Sequence, residues 1–325
     1  MPTPPGLAYK SCVHEVPDGA FISEDGVVSV DGVVIARTPP CPYSGIVPPP
    51  RSPQAEAALA QAATNGEKNH GASAGKDGSI PRSDQAEQAL ANAADNGVKN
   101  HGGGGASNAA VSPAPIPWDY TGGWWLASKG TAPAPITHLY AQWIVPANPP
   151  KTIAKELIYL FPAIQPSWTS SNILQSVLQW SPDPMSTGPI WVLAGWFVDS
   201  NNNAYHSQYF ATAAGHTIQG TIALVSGSTS QFTVTVYDVT AGKAATYRAA
   251  TGISSWLAVA GGALEVYGIQ SCAQLPGSSI TFSGLAVATA AGQVTPSLPA
   301  SGISACYGTM TASSTTTKLS WSTTA

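Results

Sequence analysis

Two runs, Ile173-Leu174-Gln175-Ser176-Val177-Leu178-Gln179-Trp180 and Trp191-Val192-Leu193-Ala194-Gly195-Trp196-Phe197-Val198, decide how this chain folds. Both are short blocks of branched and aromatic side chains, which suit a pleated surface. The second runs into Asp199-Ser200-Asn201-Asn202-Asn203, a cluster that turns the chain. The same pattern recurs outward at His138–Val145, Leu157–Pro162, Ala204–Phe210, His216–Val225, Gln231–Val239, Ala263–Ile269 and Ile280–Ala288. Many short strands with turn signals between them, and almost no helical periodicity, predict an all-β domain built as an antiparallel sandwich or barrel.

Charge and aromatic content place the boundary of that domain. Residues 1–115 hold 7 basic and 11 acidic side chains and no Trp, whereas residues 116–325 hold 6 of each and all 10 Trp. Charged residues make up only 9% of the chain. No basic stripe offers phosphate-backbone binding a footing, so nucleic acid is not an expected partner. The longest apolar runs fall far short of the ~20 residues that a membrane helix needs, so no membrane partner is expected either.

The first part divides again. In residues 1–50, Val27-Val28-Ser29-Val30 and Val33-Val34-Ile35 flank Asp31-Gly32, a hairpin signal. Cys12 and Cys41 bracket it. In residues 51–115, Gln54–Gly71 and Gln85–Gly102 match at 14 of 18 positions with a period of 31. Ala, Gln, Glu and Leu favour helix there, and Asn-Gly supplies the stop. Each helix carries little to bury, so the pair reads as marginal helices on a tether that ends in Gly102–Gly105 and Pro113-Ala114-Pro115. Residues 116–325 form the β domain. The four cysteines allow three pairings. Proximity along the chain favours Cys12–Cys41 and Cys272–Cys306 over four free thiols. Met1–Tyr9 contains three Pro and no apolar core for a leader. A secreted protein whose leader lies outside this sequence is the expectation.

The chemistry emerges by elimination. The chain lacks HExxH, CxxC and the phosphate-cradling GxxxxGK[ST], and no metal or cofactor is expected. The β domain has six acids: Asp119, Glu156, Asp183, Asp199, Asp238 and Glu265. The first five stand beside Pro, Lys, turns or strand ends, where carboxylates are ordinarily solvated. Glu265 stands in Ala263-Leu264-Glu265-Val266-Tyr267, with no basic residue within ten positions. Alternation puts it on one face with Ala263 and Tyr267. A carboxylate there is costly unless hydrogen-bonded or protonated; such a residue is either a solvent-facing strand position or a cleft carboxylate with a tuned pKa. Gln175 and Gln179 repeat the anomaly, sharing a face with Ile173 and Val177. A lone strand Gln is usually solvated, but its amide can also donate to a developing oxyanion.

These segments carry a family resemblance. The order Trp143–Pro146 (W-x-V-P), Ile173-Leu174-Gln175, Trp191–Asp199 and Ala263-Leu264-Glu265 resembles the glutamic peptidases of the eqolisin type. The resemblance implies a jelly-roll or concanavalin-like sandwich, endopeptidase activity at acid pH on protein or peptide substrates, and no metal. It places Gln175 at the catalytic glutamine and Glu265 at the catalytic glutamate, with Trp196 in the cleft. Glu265 would take a proton from the attacking water and return it to the leaving amine, while Gln175 would hold the oxyanion. Tyr267, Phe161, Gln165 and Gln179 would line the cleft. The pair is expected on neighbouring strands of one sheet, about 3–6 Å apart. The chain departs from the family where W-V-G-I-D becomes Phe161-Pro162-Ala163-Ile164-Gln165, and where a second cleft tryptophan becomes Ala194.

Two other classes fit parts of the sequence: a lectin-like sandwich whose Trp residues stack on sugars, and a structural or adhesive surface protein. The protein is expected to be a monomer. Residues 1–115, joined through a Gly/Pro linker, suggest a propeptide released in acid, when both parts become positively charged. The competing expectation is that the Cys12–Cys41 hairpin packs permanently on the sandwich.

Overall fold

Strands supply nearly all the regular structure in residues 12–41, 123–153, 156–181, 189–299, 301–302 and 305–324, which the computed structural model describes. The N-terminal group is β1 (Val13–Val16), β2 (Phe21–Ile22), β3 (Val27–Val30) and β4 (Val33–Arg37). The chain continues through β5 (Gly123–Thr131), β6 (Ile136–Ile144), β7 (Leu157–Gln165), β8 (Ile173–Ser181) and β9 (Ile190–Val198). Next come β10 (Ala204–Ser207), β11 (Phe210–Thr212), β12 (Thr217–Leu224), β13 (Gln231–Asp238), β14 (Lys243–Ala250) and β15 (Ala258–Tyr267). The last are β16 (Ser279–Thr289), β17 (Gly292–Val294), β18 (Ser301–Gly302), β19 (Thr309–Ala312) and β20 (Thr316–Ser320).

They form two sheets. The first has the order β1-β10-β9-β8-β7-β15-β5, with β11 also on β9. The second runs β18-β19-β20-β16-β6-β12-β13-β14-β2-β3-β4, with β17 on β16. The inner faces pack together, Leu160, Leu178, Leu193, Phe197 and Leu264 from the first sheet joining Ile222, Phe232, Val234, Tyr247 and Phe282 from the second. Gly262 faces Phe282 across the interface. A Cβ there would stand 2.2 Å from Phe282 Cδ2, so only glycine fits.

The purely antiparallel arrangement needs correction. β1 pairs parallel with β10, and β2 pairs parallel with β14. Both exceptions come from residues 13–22, which reach the sheets from a distant part of the chain and so escape the hairpin rule. The hairpin itself is as expected: Asp31 (φ 50°) and Gly32 (φ 79°) both take the left-handed region, the geometry of a type I′ turn. Residues 12–41 thus add strands to both sheets, and they belong to the same compact unit as the β domain. The sequence pattern does not disclose β1, β2, β5, β14 or β17 to β20 as strands. β14 reads Lys-Ala-Ala-Thr-Tyr-Arg-Ala-Ala, and its place is set by eight residues of pairing with β13. The expected run Ala204–Phe210 breaks into β10 and β11 around Gln208-Tyr209. The helical repeat and the tetraglycine lie outside the described residues.

Both expected disulfides are present, Cys12–Cys41 and Cys272–Cys306, with Cα separations of 5.3 and 5.6 Å. Each closes a loop of about thirty residues, worth roughly 3–4 kcal/mol in the chain-entropy picture.

Candidate active site

β7, β8 and β15 are buried on both faces, as the near-continuous apolar text of Leu157–Gln165 and Ile173–Ser181 requires. The face turned away from the second sheet carries its own apolar cluster, including Tyr159, Phe161, Val177, Trp196, Ala263 and Tyr267. Trp124, Trp168 and Tyr209 pack against its rim. Glu265, Gln175 and Gln179 stand on this face, and all three are buried.

Register resolves the face into rows, because cross-strand partners project to the same side. One row runs Trp124, Glu265, Tyr159, Gln179 and Val192 across β5, β15, β7, β8 and β9. Another runs Lys129, Ala260, Ala163, Gln175, Trp196, His206 and Glu15. Between them stand Ala263, Phe161, Val177 and Ala194. The expectation that Gln175 and Glu265 occupy neighbouring strands is therefore corrected: β7 lies between β8 and β15. Gln175 also stands four residues along β8 from the Glu265 row, about 13 Å at the usual strand rise. The glutamine level with Glu265 is Gln179.

Glu265 is 6% exposed, and its carboxylate accepts a hydrogen bond from the Tyr267 hydroxyl. Burial pushes its pKa up to about 7 against the opposing effect of that bond. Tyr159 is also buried, and desolvation holds its phenol well above its ordinary value. Burial likewise raises Tyr209, against a hydrogen bond to Gln179 that lowers it. Trp196 lies against His206 at 4.7 Å between ring centroids, and His206 stacks on Tyr209 at 4.5 Å. Burial lowers His206 to about 4, so the ring is neutral over most of the pH range, with Nδ1 2.8 Å from the Ser207 carbonyl.

Three buried polar atoms on this face have no hydrogen-bond partner: the Tyr159 hydroxyl, Gln179 Oε1 and Trp196 Nε1. Unpartnered buried groups are costly, and a cluster of them marks a place where water or a ligand completes the bonding.

The remaining expected cleft residues divide. Tyr267 and Trp196 belong to the face as described. Phe161 is fully buried, edge-on to Trp124 with centroids 5.3 Å apart. Gln165 donates from Nε2 to the Ser170 carbonyl at 3.0 Å, tying the β7–β8 connection. Lys129 Nζ lies over both Trp124 and Trp168, at 5.5 and 5.4 Å from the ring centroids. Tyr159 was not among the expected site residues. The signal was there, a phenol in an apolar run, but aromatic strand residues are usually core.

The expectation of solvated carboxylates also fails for Glu156, Asp199 and Asp238, all buried. Glu156 accepts from Trp180 Nε1 (2.9 Å), Gln274 Nε2 (2.8 Å) and the Ile153 amide (3.1 Å). Asp199 accepts from the Asn201 and Asn203 amides, both at 2.8 Å. Asp238 accepts from Thr212 Oγ1 at 2.6 Å and lies 2.8 Å from His216 Nδ1. For Glu156 and Asp238 the donors come from distant segments that the linear sequence does not reveal, while Asp199 is satisfied within its own turn. Asp119 and Asp183 lie outside the described residues.

No family model matches the chain, and no curated protein does. Among solved structures, scytalido-glutamic peptidase with a transition state analog inhibitor aligns at TM-score 0.46 and 14% identity, over 61% of this chain and 98% of that one. SCP-B, a member of the eqolisin family of peptidases in complex with the tripeptide Ala-Ile-His, aligns at 0.41 and 15% identity, over 60% and 98%. Aspergilloglutamic peptidase from Aspergillus niger aligns at 0.37 and 17% identity, over 51% and 98%.

Proposed function

We propose that this protein is a peptide hydrolase in which Glu265 carries the proton. The observation that carries the reading is the buried Glu265 carboxyl, held by Tyr267 on a face whose Tyr159, Gln179 and Trp196 polar atoms lack partners. A carboxylate in such surroundings is a stronger base than one in water. It would take a proton from a water attacking the scissile carbonyl, then deliver it to the leaving nitrogen as the C–N bond breaks. No step requires a metal or cofactor. Gln175, with Trp196 and His206 in its row, would hold the substrate chain farther along the face. The two disulfides favour an oxidising compartment, and we place the enzyme outside the cell acting on proteins or peptides.

Two sequence expectations change in this proposal. Glu265 holds its proton up to about pH 7, so its basic form grows in through neutrality and the expected optimum moves away from acid. Removal of all of residues 1–115 would strip β1 from β10 and β2 from β14. Self-processing is therefore confined in this proposal to a cut at Gly102–Gly105, after which pairing would retain residues 12–41.

The test is casein hydrolysis by the purified full chain and by Glu265→Gln, from pH 3 to pH 9 in the presence of pepstatin, beside a glycan array. The wild-type protein should cleave, with kcat/KM rising through about pH 7, and the variant should not. Equal rates for the two proteins, or glycan binding without hydrolysis, would refute the reading.

A further inference from the structure

We propose that Lys129 forms a carboxylate-binding subsite, so that the enzyme prefers substrates with an anionic group near the scissile bond; this rests on the peptidase reading above. Lys129 is exposed on β5, the edge strand of the first sheet. A lysine in such a place ordinarily swings through solvent. Here Nζ lies over the rings of Trp124 and Trp168, which stand edge-on with centroids 6.1 Å apart. Trp124 comes from β5 itself and Trp168 from the β7–β8 connection. Both attract the cation through their ring faces, a contact that leaves the ammonium N–H donors unused. Among the described residues, no carboxylate lies within ion-pair distance of Nζ. The charge is therefore fixed in position but not neutralised. A ligand carboxylate meeting it would not have to order a mobile side chain first, which is the main cost of binding to a surface lysine.

Its place is at the rim of the site. Trp124 is the cross-strand partner of Glu265 and packs on Phe161, whose own partner is Ala263. Ala263 is two residues along β15 from Glu265, about 7 Å at the usual strand rise. The cation over Trp124 thus stands about two residues of extended peptide from the carboxyl that moves the proton. The row through Lys129 ends at Glu15 on β1, at the opposite edge of the sheet. Six strand spacings, about 29 Å, separate the two, well beyond the ~8–10 Å over which salt screens exposed charges. Glu15 therefore does not offset the positive potential at the Lys129 end. Two anionic groups of a peptide suit that end: an Asp or Glu side chain, and the C-terminal carboxylate of a short chain.

The experiment uses an end-blocked casein peptide, with Gln or Glu placed in turn at each of the three positions on either side of the cut. A second pair ends two residues beyond the cut in a free carboxylate or a carboxamide. Full-length wild type, Lys129→Arg, Lys129→Met and Lys129→Glu are compared. Wild type should favour the anionic member of a pair by about tenfold in kcat/KM, expressed mainly in KM. Lys129→Arg should keep that ratio. Lys129→Met, which retains an aliphatic stem on the indoles, should bring it to about one, and Lys129→Glu should invert it. The wild-type ratio should also shrink as NaCl rises from about 0.05 to 0.5 M. A preference confined to internal Glu assigns the subsite to side chains, and one confined to the free carboxylate assigns it to chain ends. A purely structural lysine would lower the thermal midpoint of Lys129→Met and leave the ratio unmoved. Equal rates within every pair, or a preference that survives in Lys129→Met, would overturn the subsite and leave the peptidase reading standing. A wild-type protein no more active on any of these peptides than Glu265→Gln would overturn both.

Discussion

Replacing Glu265 by Gln should stabilise the folded protein in alkaline solution and leave it nearly unchanged in acid. The ordinary value for a Glu is 4.5, and burial raises Glu265 to about 7. Because the folded state holds the proton more tightly, folding binds protons between these values, and stability falls as pH rises through that window. Below about pH 4.5 both states are protonated and Glu265 costs nothing electrostatically. Above about pH 7 the full penalty is present. At ~1.36 kcal/mol per unit, a rise from 4.5 to about 7 corresponds to about 3 kcal/mol. Gln keeps the size of the side chain and an acceptor for Tyr267, but it carries no charge to desolvate. Urea unfolding followed by tryptophan emission, with wild type and variant compared at pH 4 and pH 8.5, measures the difference. The stabilities should agree at pH 4 within about 1 kcal/mol, and the variant should be more stable by about 3 kcal/mol at pH 8.5. A difference that is the same at both pH values would show that Glu265 ionises normally, removing the physical basis for its role as a tuned base.

Two further outcomes follow from packing and charge. Gly262→Ala drives a methyl to 2.2 Å from the Phe282 ring, so it should cost about 1–3 kcal/mol; the cost should shrink when Phe282 is replaced by Leu, and an unchanged cost would locate the strain in the backbone instead. Burial raises Asp238, but hydrogen bonds from Thr212, His216 and the Ala241 amide outweigh it, and the net pKa is lowered from 3.8. A lowered carboxylate stabilises above its unfolded value and loses that contribution as pH falls through the folded value. Asp238→Asn should therefore cost more at pH 6 than at pH 2.5 in chemical denaturation, and an equal cost at both would contradict the assignment.

Some of this molecule is written in its linear order. Alternating and continuous apolar runs such as Ile173–Trp180 declare strands because a period of two places residues on faces whatever surrounds them. Asp31-Gly32 declares a turn, because a type I′ hairpin needs positive φ at both positions and these residues tolerate it. Glu265 declared itself as an acid stranded in an apolar strand. Those properties depend on neighbours in sequence, and they were legible there. Pairing was not. β1 and β2 choose distant parallel partners, and Lys243–Ala250 becomes a strand through the long-range bonds it makes with β13. Glu156 and Asp238 are buried with donors that arrive from Gln274 and Thr212 across the fold, whereas Asp199 is held by the Asn203 amide of its own turn. The same holds at the site. Gln175 and Gln179 share one face of β8, and nothing in their spacing says which of them stands level with Glu265. Register across β7 decides it, placing Gln179 and Tyr159 in that row and Gln175 in the next but one. Register is fixed by which faces the whole sandwich can bury, a condition that no single strand contains.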